Sequence, residues 1–370
     1  MISDGGQAGR WRAVLAAFVA GACIVTTMGG GFSFLDDPQA NGVLVRQLER
    51  AEMDALPPSP PLPKSPLVLP PAPTTTTPPP PPPPTTAAPA PPPAAASVPV
   101  GGGRFTFQPY AGLGAWLDVY DWSLTYTGGN PGAGLADIDR MASLGVRTIF
   151  IQATKWDAPE AVLEQDRLQE IIDRAHANGM RVVAWTLPTL EDTAIDMVRL
   201  MSVAAMNFDG LGVDIESRAV GDVNERNARL IQLSTSLRQA LPGEVISAIV
   251  LPPVVMEEIN PNYWPGFPWA QLAPLYDVWQ PMAYWTNRRA DSPWRDAWQY
   301  TAGNIDRIRA NTGLPNAIVH PIGGIGDATT PDDVNRMVTA AHERGAIGGS
   351  LYDYRTTHDA LWAPLQAFNQ

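Results

Sequence analysis

From residue 101 to the C-terminus, short apolar runs alternate with amphipathic helical patterns. Eight of the runs are typical of strands: Ala115–Tyr120, Thr148–Ala153, Arg181–Leu187, Gly210–Glu216, Val245–Leu251, Val278–Tyr284, Ala317–Ile322 and Ile347–Tyr352. Strands that alternate with helices form a parallel sheet. Eight such units predict a (β/α)8 TIM barrel, an α/β fold, over residues 101–370. A doubly wound sheet is the second possibility, but no Gly-x-Gly-x-x-Gly turn follows the first run.

The helical patterns lie between these runs. They are Leu135–Leu144, Asp166–Asn178, Glu191–Ala204, Asn224–Leu241, Asp296–Asn311 and Pro331–Arg344. Gly145, Gly179, Gly313 and Gly345 each follow one of these patterns. A glycine at this place predicts a left-handed residue that ends the helix.

Three segments of different composition precede the barrel. Residues 1–31 combine Arg10 and Arg12 with an apolar run, 13–28, which predicts a signal peptide or an uncleaved signal anchor. Residues 32–55 form a short membrane-proximal segment. Residues 56–100 contain 21 prolines with threonines among them, which predicts a disordered linker of polyproline II character. We therefore expect an exported protein, either membrane-anchored with its barrel outside or secreted to the cell wall.

Composition narrows the possible partners. The segment 101–370 carries 20 of the 25 basic and 31 of the 37 acidic residues, so its net charge is −11. Such a charge argues against nucleic-acid binding and favours a neutral polysaccharide, with membrane contact only through the N-terminal segment. The single cysteine, Cys23, lies in the apolar run, and the four histidines have no metal-ligand spacing. We expect no cofactor and no metal.

Parity along the strands selects candidate site residues, because catalytic groups of parallel barrels lie at the C-terminal strand ends. Asp214 and Glu216 share one face of the fourth strand, a pattern typical of an acid–carboxylate pair. The candidate substrate contacts are Asp118, Tyr120, Gln152, Trp185, Gln280, Met282, Trp285, His320, Tyr352 and Asp353. Several are aromatic, and aromatic-lined clefts suit sugar rings. The alternative is a structural role, in which the Asp214–Glu216 pair only binds backbone amides or arginines such as Arg218.

The fourth strand carries Asp209, Gly210, Asp214 and Glu216, and the sixth carries Gln280, Met282 and Tyr284. These residues match the patterns Asp-Gly-x-Asp-x-Asp-x-Glu and Gln-x-Met-x-Tyr in register. Both patterns resemble motifs of glycoside hydrolase family 18, the chitinase-like barrels. The resemblance implies Glu216 as general acid, Asp214 as the group that orients neighbouring substrate atoms, and Tyr284 as a hydrogen-bonding group near the reacting centre.

The sequence departs from the family pattern at three places. Gly212 replaces the middle Asp, Trp185-Thr186-Leu187-Pro188 stands where Ser-x-Gly-Gly is expected, and Trp285 replaces an Asp after Tyr284. Alternatives therefore stay open. One is a hydrolase in which Glu216 works with a second carboxylate, chosen from Asp118, Asp121 and Asp353. Another is an inactive, lectin-like barrel that binds glycan, and a third is a purely structural envelope protein.

Overall fold

The computed structural model describes residues 103–370. The predicted signal or anchor segment (1–31), the membrane-proximal segment (32–55) and the linker (56–100) lie outside the described residues. Within the described part, none of the helices is long and apolar enough to cross a bilayer.

Nine parallel strands form one sheet. They are β1 (Gly112–Leu117), β2 (Thr148–Gln152), β3 (Arg181–Thr186), β4 (Gly210–Ile215), β5 (Ile246–Val250), β6 (Val278–Pro281), β7 (Ile318–Val319), β8 (Ile322–Ile325) and β9 (Gly348–Tyr352). Their order in the sheet is β7-β6-β5-β4-β3-β2-β1-β9-β8. Each neighbour from β1 to β6 is also the neighbour in sequence, as the alternating pattern predicts for a barrel.

The sheet closes because β7 and β8 are successive pieces of one strand. Val319 in β7 pairs with Trp279 in β6. Ile322 in β8 bridges to Met282 and pairs with Ser350 in β9. The break falls at His320-Pro321, where proline has no amide proton for the ladder. Eight strand positions therefore surround the interior, and the predicted TIM barrel is confirmed.

Helices lie between the strands. They are α1 (Val119–Trp122), α2 (Leu135–Ser143), α3 (Gln165–Ala177), α4 (Thr193–Ala204), α5 (Val223–Ala240), α6 (Trp269–Leu272), α7 (Ala297–Thr312), α8 (Pro331–Glu343) and α9 (Asp359–Leu365). The six predicted helices appear within two residues of their predicted ends. The four glycines predicted to end helices all have φ between 58° and 87°, which a side chain at Cβ would disfavour.

Two predicted strands end early, and local hydrogen bonds explain both. The first was predicted to reach Tyr120 but ends at Leu117, because Asp118 caps α1 by accepting a bond from the Tyr120 amide. The sixth was predicted to reach Tyr284 but ends at Pro281. There the Ala283 amide donates to the Pro281 carbonyl and the Tyr284 amide to the Met282 carbonyl, both at 2.8 Å. Two such tight turns stop the ladder.

A directional chain of hydrogen bonds crosses the barrel interior at His320. The Nδ1 of His320 lies 2.8 Å from the carbonyl oxygen of Tyr110, so Nδ1 carries the proton and donates. Its Nε2 lies 3.0 Å from the Ser350 hydroxyl, which in turn accepts from the Trp116 indole N–H at 2.8 Å. With Nδ1 protonated, Nε2 accepts from the Ser350 hydroxyl, so the neutral imidazole gives every donor of this chain an acceptor. Burial lowers the pKa of His320 to about 4.

This geometry predicts an acid-sensitive core. His320 is neutral in the fold, whereas in the unfolded chain it takes a proton near pH 6.5. Its contribution to the free energy of unfolding is complete above pH 6.5 and is lost as pH falls towards 4. The total loss is about 3 kcal/mol, from 1.36 kcal/mol per unit of pKa.

Chemical denaturation at several pH values measures this effect. We expect His320→Asn to flatten the dependence of unfolding free energy on pH between 6.5 and 5. The exposed His358 provides the matched control, since His358→Asn should keep the wild-type slope. An unchanged slope in His320→Asn would contradict a neutral His320.

Candidate active site

Asp214 and Glu216 lie at the C-terminal end of β4. Asp214 is buried, and its Cα pairs with that of Ile249 in β5. Glu216 follows the last strand residue and is half-buried, which places it at the rim of the barrel. The two carboxylates therefore stand where parallel barrels carry their catalytic groups.

The segment after Glu216 is fixed to the loop between β3 and α4. The Ser217 hydroxyl donates to the Thr189 carbonyl at 3.2 Å. The amides of Thr189 and Leu190 in turn donate to the carboxylate of Asp196, at 3.2 and 2.9 Å. Burial raises the pKa of Asp196, although both amide bonds oppose the rise. These bonds restrain the backbone that carries Glu216.

The glycine that replaces the family's middle Asp has a steric explanation. Gly212 pairs with Trp185 across β3 and β4. A Cβ on Gly212 would lie 3.1 Å from both Ile249 Cδ1 and Ser247 Oγ, and 3.4 Å from Trp185 Cβ. Trp185 itself is buried, with its ring centroid 6.1 Å from that of Trp116. The side chains of Ile249 and Ser247, with the Cβ of Trp185, thus occupy the space that an aspartate at position 212 would need.

Predicted residues at the ends of three strands lie together, and we call them the Tyr352 cluster: Asp118, Tyr284 and Tyr352. The Tyr352 hydroxyl donates to Asp118 Oδ2 at 3.2 Å. Its ring centroid lies 5.7 Å from that of Tyr284. The cluster joins the ends of β1, β6 and β9, as the parity of these residues predicts.

The three carboxylates proposed as partners of Glu216 also lie together. Asp118, Asp121 and Asp353 are buried and offer oxygens within 4.8 Å of one another. One oxygen of each accepts a backbone amide: Tyr120 for Asp118, Asp118 for Asp121, and Thr356 for Asp353. Such a group could hold a hard cation such as Ca²⁺, yet the capping bonds already give each carboxylate a structural use. The expectation of no metal stays a prediction.

Other predicted residues have supporting positions. Gln152 anchors α1, since its side-chain oxygen accepts the Val119 amide at 3.2 Å and its carbonyl accepts the Trp122 indole N–H at 3.0 Å. Tyr120, on α1, is half-buried and lies edge-on to Tyr126 at 6.1 Å.

Four further predicted substrate contacts are also buried. Gln280 is 0% exposed, and its amide nitrogen and oxygen have no hydrogen-bond partner among the described residues. Met282 is 6% exposed, and His320 belongs to the hydrogen-bond chain below the site. Trp285 is 0% exposed, and a Cβ on Gly323 or Gly324 would approach its ring to 2.8 Å. Trp285 therefore packs in the core, which argues against its predicted stacking on sugar.

Trp116 is an interior residue that the sequence prediction missed. It stacks on Phe150 with ring centroids 4.5 Å apart and lies 6.4 Å from Tyr352. Trp116 has the parity of Asp118, two residues earlier on β1. Extending the parity argument back along that strand would have found it.

Comparison with known proteins agrees with this architecture. No protein-family model and no curated protein matches the sequence. Among solved structures, the C-terminal domain of a protein named as a chitinase from Desulfitobacterium hafniense aligns with 70% of this chain and 99% of its own, at 13% identity and a TM-score of 0.52. The described domain has a divergent chitinase-like fold.

Two further structures support the same fold. A class V chitinase from Pseudomonas fluorescens aligns over 70% of this chain and 100% of its own, with 12% identity and a TM-score of 0.50. The Bacillus cereus spore cortex-lytic enzyme SleL aligns over 70% and 74%, with 10% identity and a TM-score of 0.50. Identities this low establish a shared architecture and say nothing of shared chemistry.

The packing around Gly212 predicts that aspartate, the residue of the family pattern, cannot be introduced at position 212 without other changes. We expect Gly212→Asp to lower the free energy of unfolding by roughly 3 kcal/mol, because a carboxylate would be forced among Ile249, Ser247 and Trp185. Urea denaturation measures the change. Gly221→Asp is the control, because Gly221 is exposed and a Cβ there meets no atom within 4 Å. Equal stability of the two variants would contradict the steric explanation.

Proposed function

We propose that the chain is an exported glycoside hydrolase that cleaves glycosidic bonds in a cell-envelope or extracellular polysaccharide. The observation that carries the proposal is the position of Asp214 and Glu216 at the C-terminal end of β4 in a chitinase-like barrel. Nearby structures named as chitinases and as a cortex-lytic enzyme support a glycan as the ligand class.

In this proposal Glu216 is the general acid. It is half-buried at the rim, and it donates its proton to the glycosidic oxygen as the bond breaks. Asp214, buried and on the same strand face, orients the substrate atoms next to the reacting carbon. Tyr284 hydrogen-bonds near that carbon, with its ring held beside Tyr352.

A second carboxylate is the alternative route within the same function. Asp118 is the strongest candidate, because its Oδ2 faces the Tyr352 hydroxyl in the Tyr352 cluster. The separation between this carboxylate and Glu216 would set the stereochemical outcome, since about 5 Å favours retention and a larger gap favours inversion.

A non-catalytic, lectin-like barrel is the second candidate function. The observation that favours it is the filled interior at Gly212 and Trp185, where the family pattern expects polar residues. The aromatic and carboxylate groups of the Tyr352 cluster suit sugar binding in either case.

Export is part of the proposal. The apolar run 13–28 and the proline-rich stretch 56–100 suit a barrel held outside the membrane by a long spacer. Fully extended, that spacer would span on the order of 140 Å, from about 3.1 Å per residue.

Replacing the proposed acid separates the two functions. We expect Glu216→Gln to reduce sugar release from envelope or N-acetylated glycans by about 10² to 10⁴-fold while glycan affinity is kept. Reducing-end release by the full chain and titration calorimetry give the two readouts. Glu170→Gln, an exposed change on α3, serves as the control and should keep full activity.

One outcome would contradict the assignment of the acid, and another would contradict the hydrolase. Equal release by wild type and Glu216→Gln would exclude Glu216 as the acid. Binding without release by either protein would establish the lectin-like barrel instead.

A further inference from the structure

The loop between β3 and α4 contains an unusual backbone conformation. Leu190 has a φ of 64°, in the left-handed region that disfavours any residue with a Cβ. Among residues 103–370, the only other non-glycine residue with a positive φ is Glu164. Strained conformations persist only where the surrounding structure holds them, and they concentrate at functional sites. The contacts that hold Leu190 therefore bear on the function of this loop.

A buried carboxylate on α4 binds the loop. Asp196 is 2% exposed, and its two oxygens accept the amides of Thr189 at 3.2 Å and Leu190 at 2.9 Å. Burial raises the pKa of Asp196, so the ionised carboxylate is unfavourable here without such bonds. The helix does not need Asp196 as a cap, because the side chain of Asp192 already caps α4. Asp196 therefore serves the loop.

An arginine on α5 binds the same loop. The Nη1 of Arg229 donates to the carbonyl oxygens of Leu190 at 2.9 Å and Glu191 at 2.6 Å. The amide of Leu190 is bound by Asp196 and its carbonyl by Arg229, so both of its backbone polar groups are fixed. The strained residue is thus held from two helices, and the loop has little freedom to move.

The loop in turn holds the segment that carries Glu216. The Ser217 hydroxyl donates to the Thr189 carbonyl at 3.2 Å and accepts the Ala219 amide at 3.3 Å. Ser217 directly follows Glu216 in the chain. Hydrogen bonds therefore lead from the buried carboxylate of Asp196, through the Thr189 backbone, to the residue next to the proposed acid.

We infer that Asp196 and Ser217 are positioning residues, which act through Thr189 to set the place of the Glu216 carboxyl at the rim. The inference rests on the proposed function, because it takes Glu216 as the proton donor. A general acid works only when its proton lies within hydrogen-bond reach of the leaving oxygen. A displacement of about 1 Å can lower the rate by about 10²-fold. The strain at Leu190 and the burial of Asp196 are thereby given a use in catalysis.

Steady-state kinetics of the full chain test the inference. The substrates are N-acetylglucosamine oligomers and purified cell-wall glycan, with sugar release as the readout. Ser217→Ala removes the bond to Thr189, and we expect kcat to fall about tenfold with KM unchanged, because the acid is displaced while the sugar contacts stay. Asp196→Asn replaces one accepting oxygen by a nitrogen that cannot accept, so kcat should fall as well.

Further variants separate positioning from folding. Ser217→Thr keeps a hydroxyl and should restore most of kcat. Ser202→Ala on α4 is the matched control, since the Ser202 hydroxyl also donates to a backbone carbonyl, that of Val198 at 2.8 Å, and kcat should not change. The double variant Ser217→Ala/Asp196→Asn should lose less than the product of the two single losses, because both act through Thr189. Ser217 is half-buried, so its variants keep the inference testable even if Asp196→Asn fails to fold.

The outcomes separate this inference from the proposed function. Wild-type kcat in Ser217→Ala, in a protein that Glu216→Gln inactivates, would overturn the inference and leave the hydrolase standing. A rise in KM without a fall in kcat would also overturn it, because it would assign Ser217 to substrate binding. Equal release by wild type and Glu216→Gln, or no release by either, would remove the proposed acid and the inference together.

Discussion

Closure of the sheet is the constraint on which the rest of the structure depends. The seventh strand position is made of two pieces, β7 against β6 and β8 against β9, joined at His320-Pro321. An open parallel sheet would expose an edge, whereas the closed one surrounds a single interior. Only in a closed barrel can Asp118, Tyr284 and Tyr352, from three different strand ends, reach one another.

The break in the seventh strand also places a polar residue in the barrel interior. His320 sits at the break and joins Tyr110 on one side to Ser350 and Trp116 on the other. Every donor in this chain has an acceptor, so a polar group is tolerated among Phe150 and the tryptophans. The aromatic residues around His320 and the candidate site at the rim therefore belong to one packed barrel interior.

Much of the fold followed from the sequence, because period-two and helical patterns report burial directly. The strand count, the helix positions and the glycine caps needed no tertiary information. The strand ends at Leu117 and Pro281 were missed because a side-chain cap and two tight turns compete with the ladder there. For the site, parity placed Asp118 and Tyr352 among the candidates at the strand ends, and the fold brings them into contact. Parity could not show that Trp285 packs in the core.

The packing at Gly212 has a consequence for protein engineering. A Cβ at this position would press on Ile249 and Ser247 of the neighbouring strand β5, so a larger residue at position 212 demands smaller ones on β5. A designer who wished to install the family's acidic relay would have to rebuild β4 and β5 in the same step. Single mutations would leave the barrel interior overfilled or underpacked. Screening one position at a time would therefore miss the combined change.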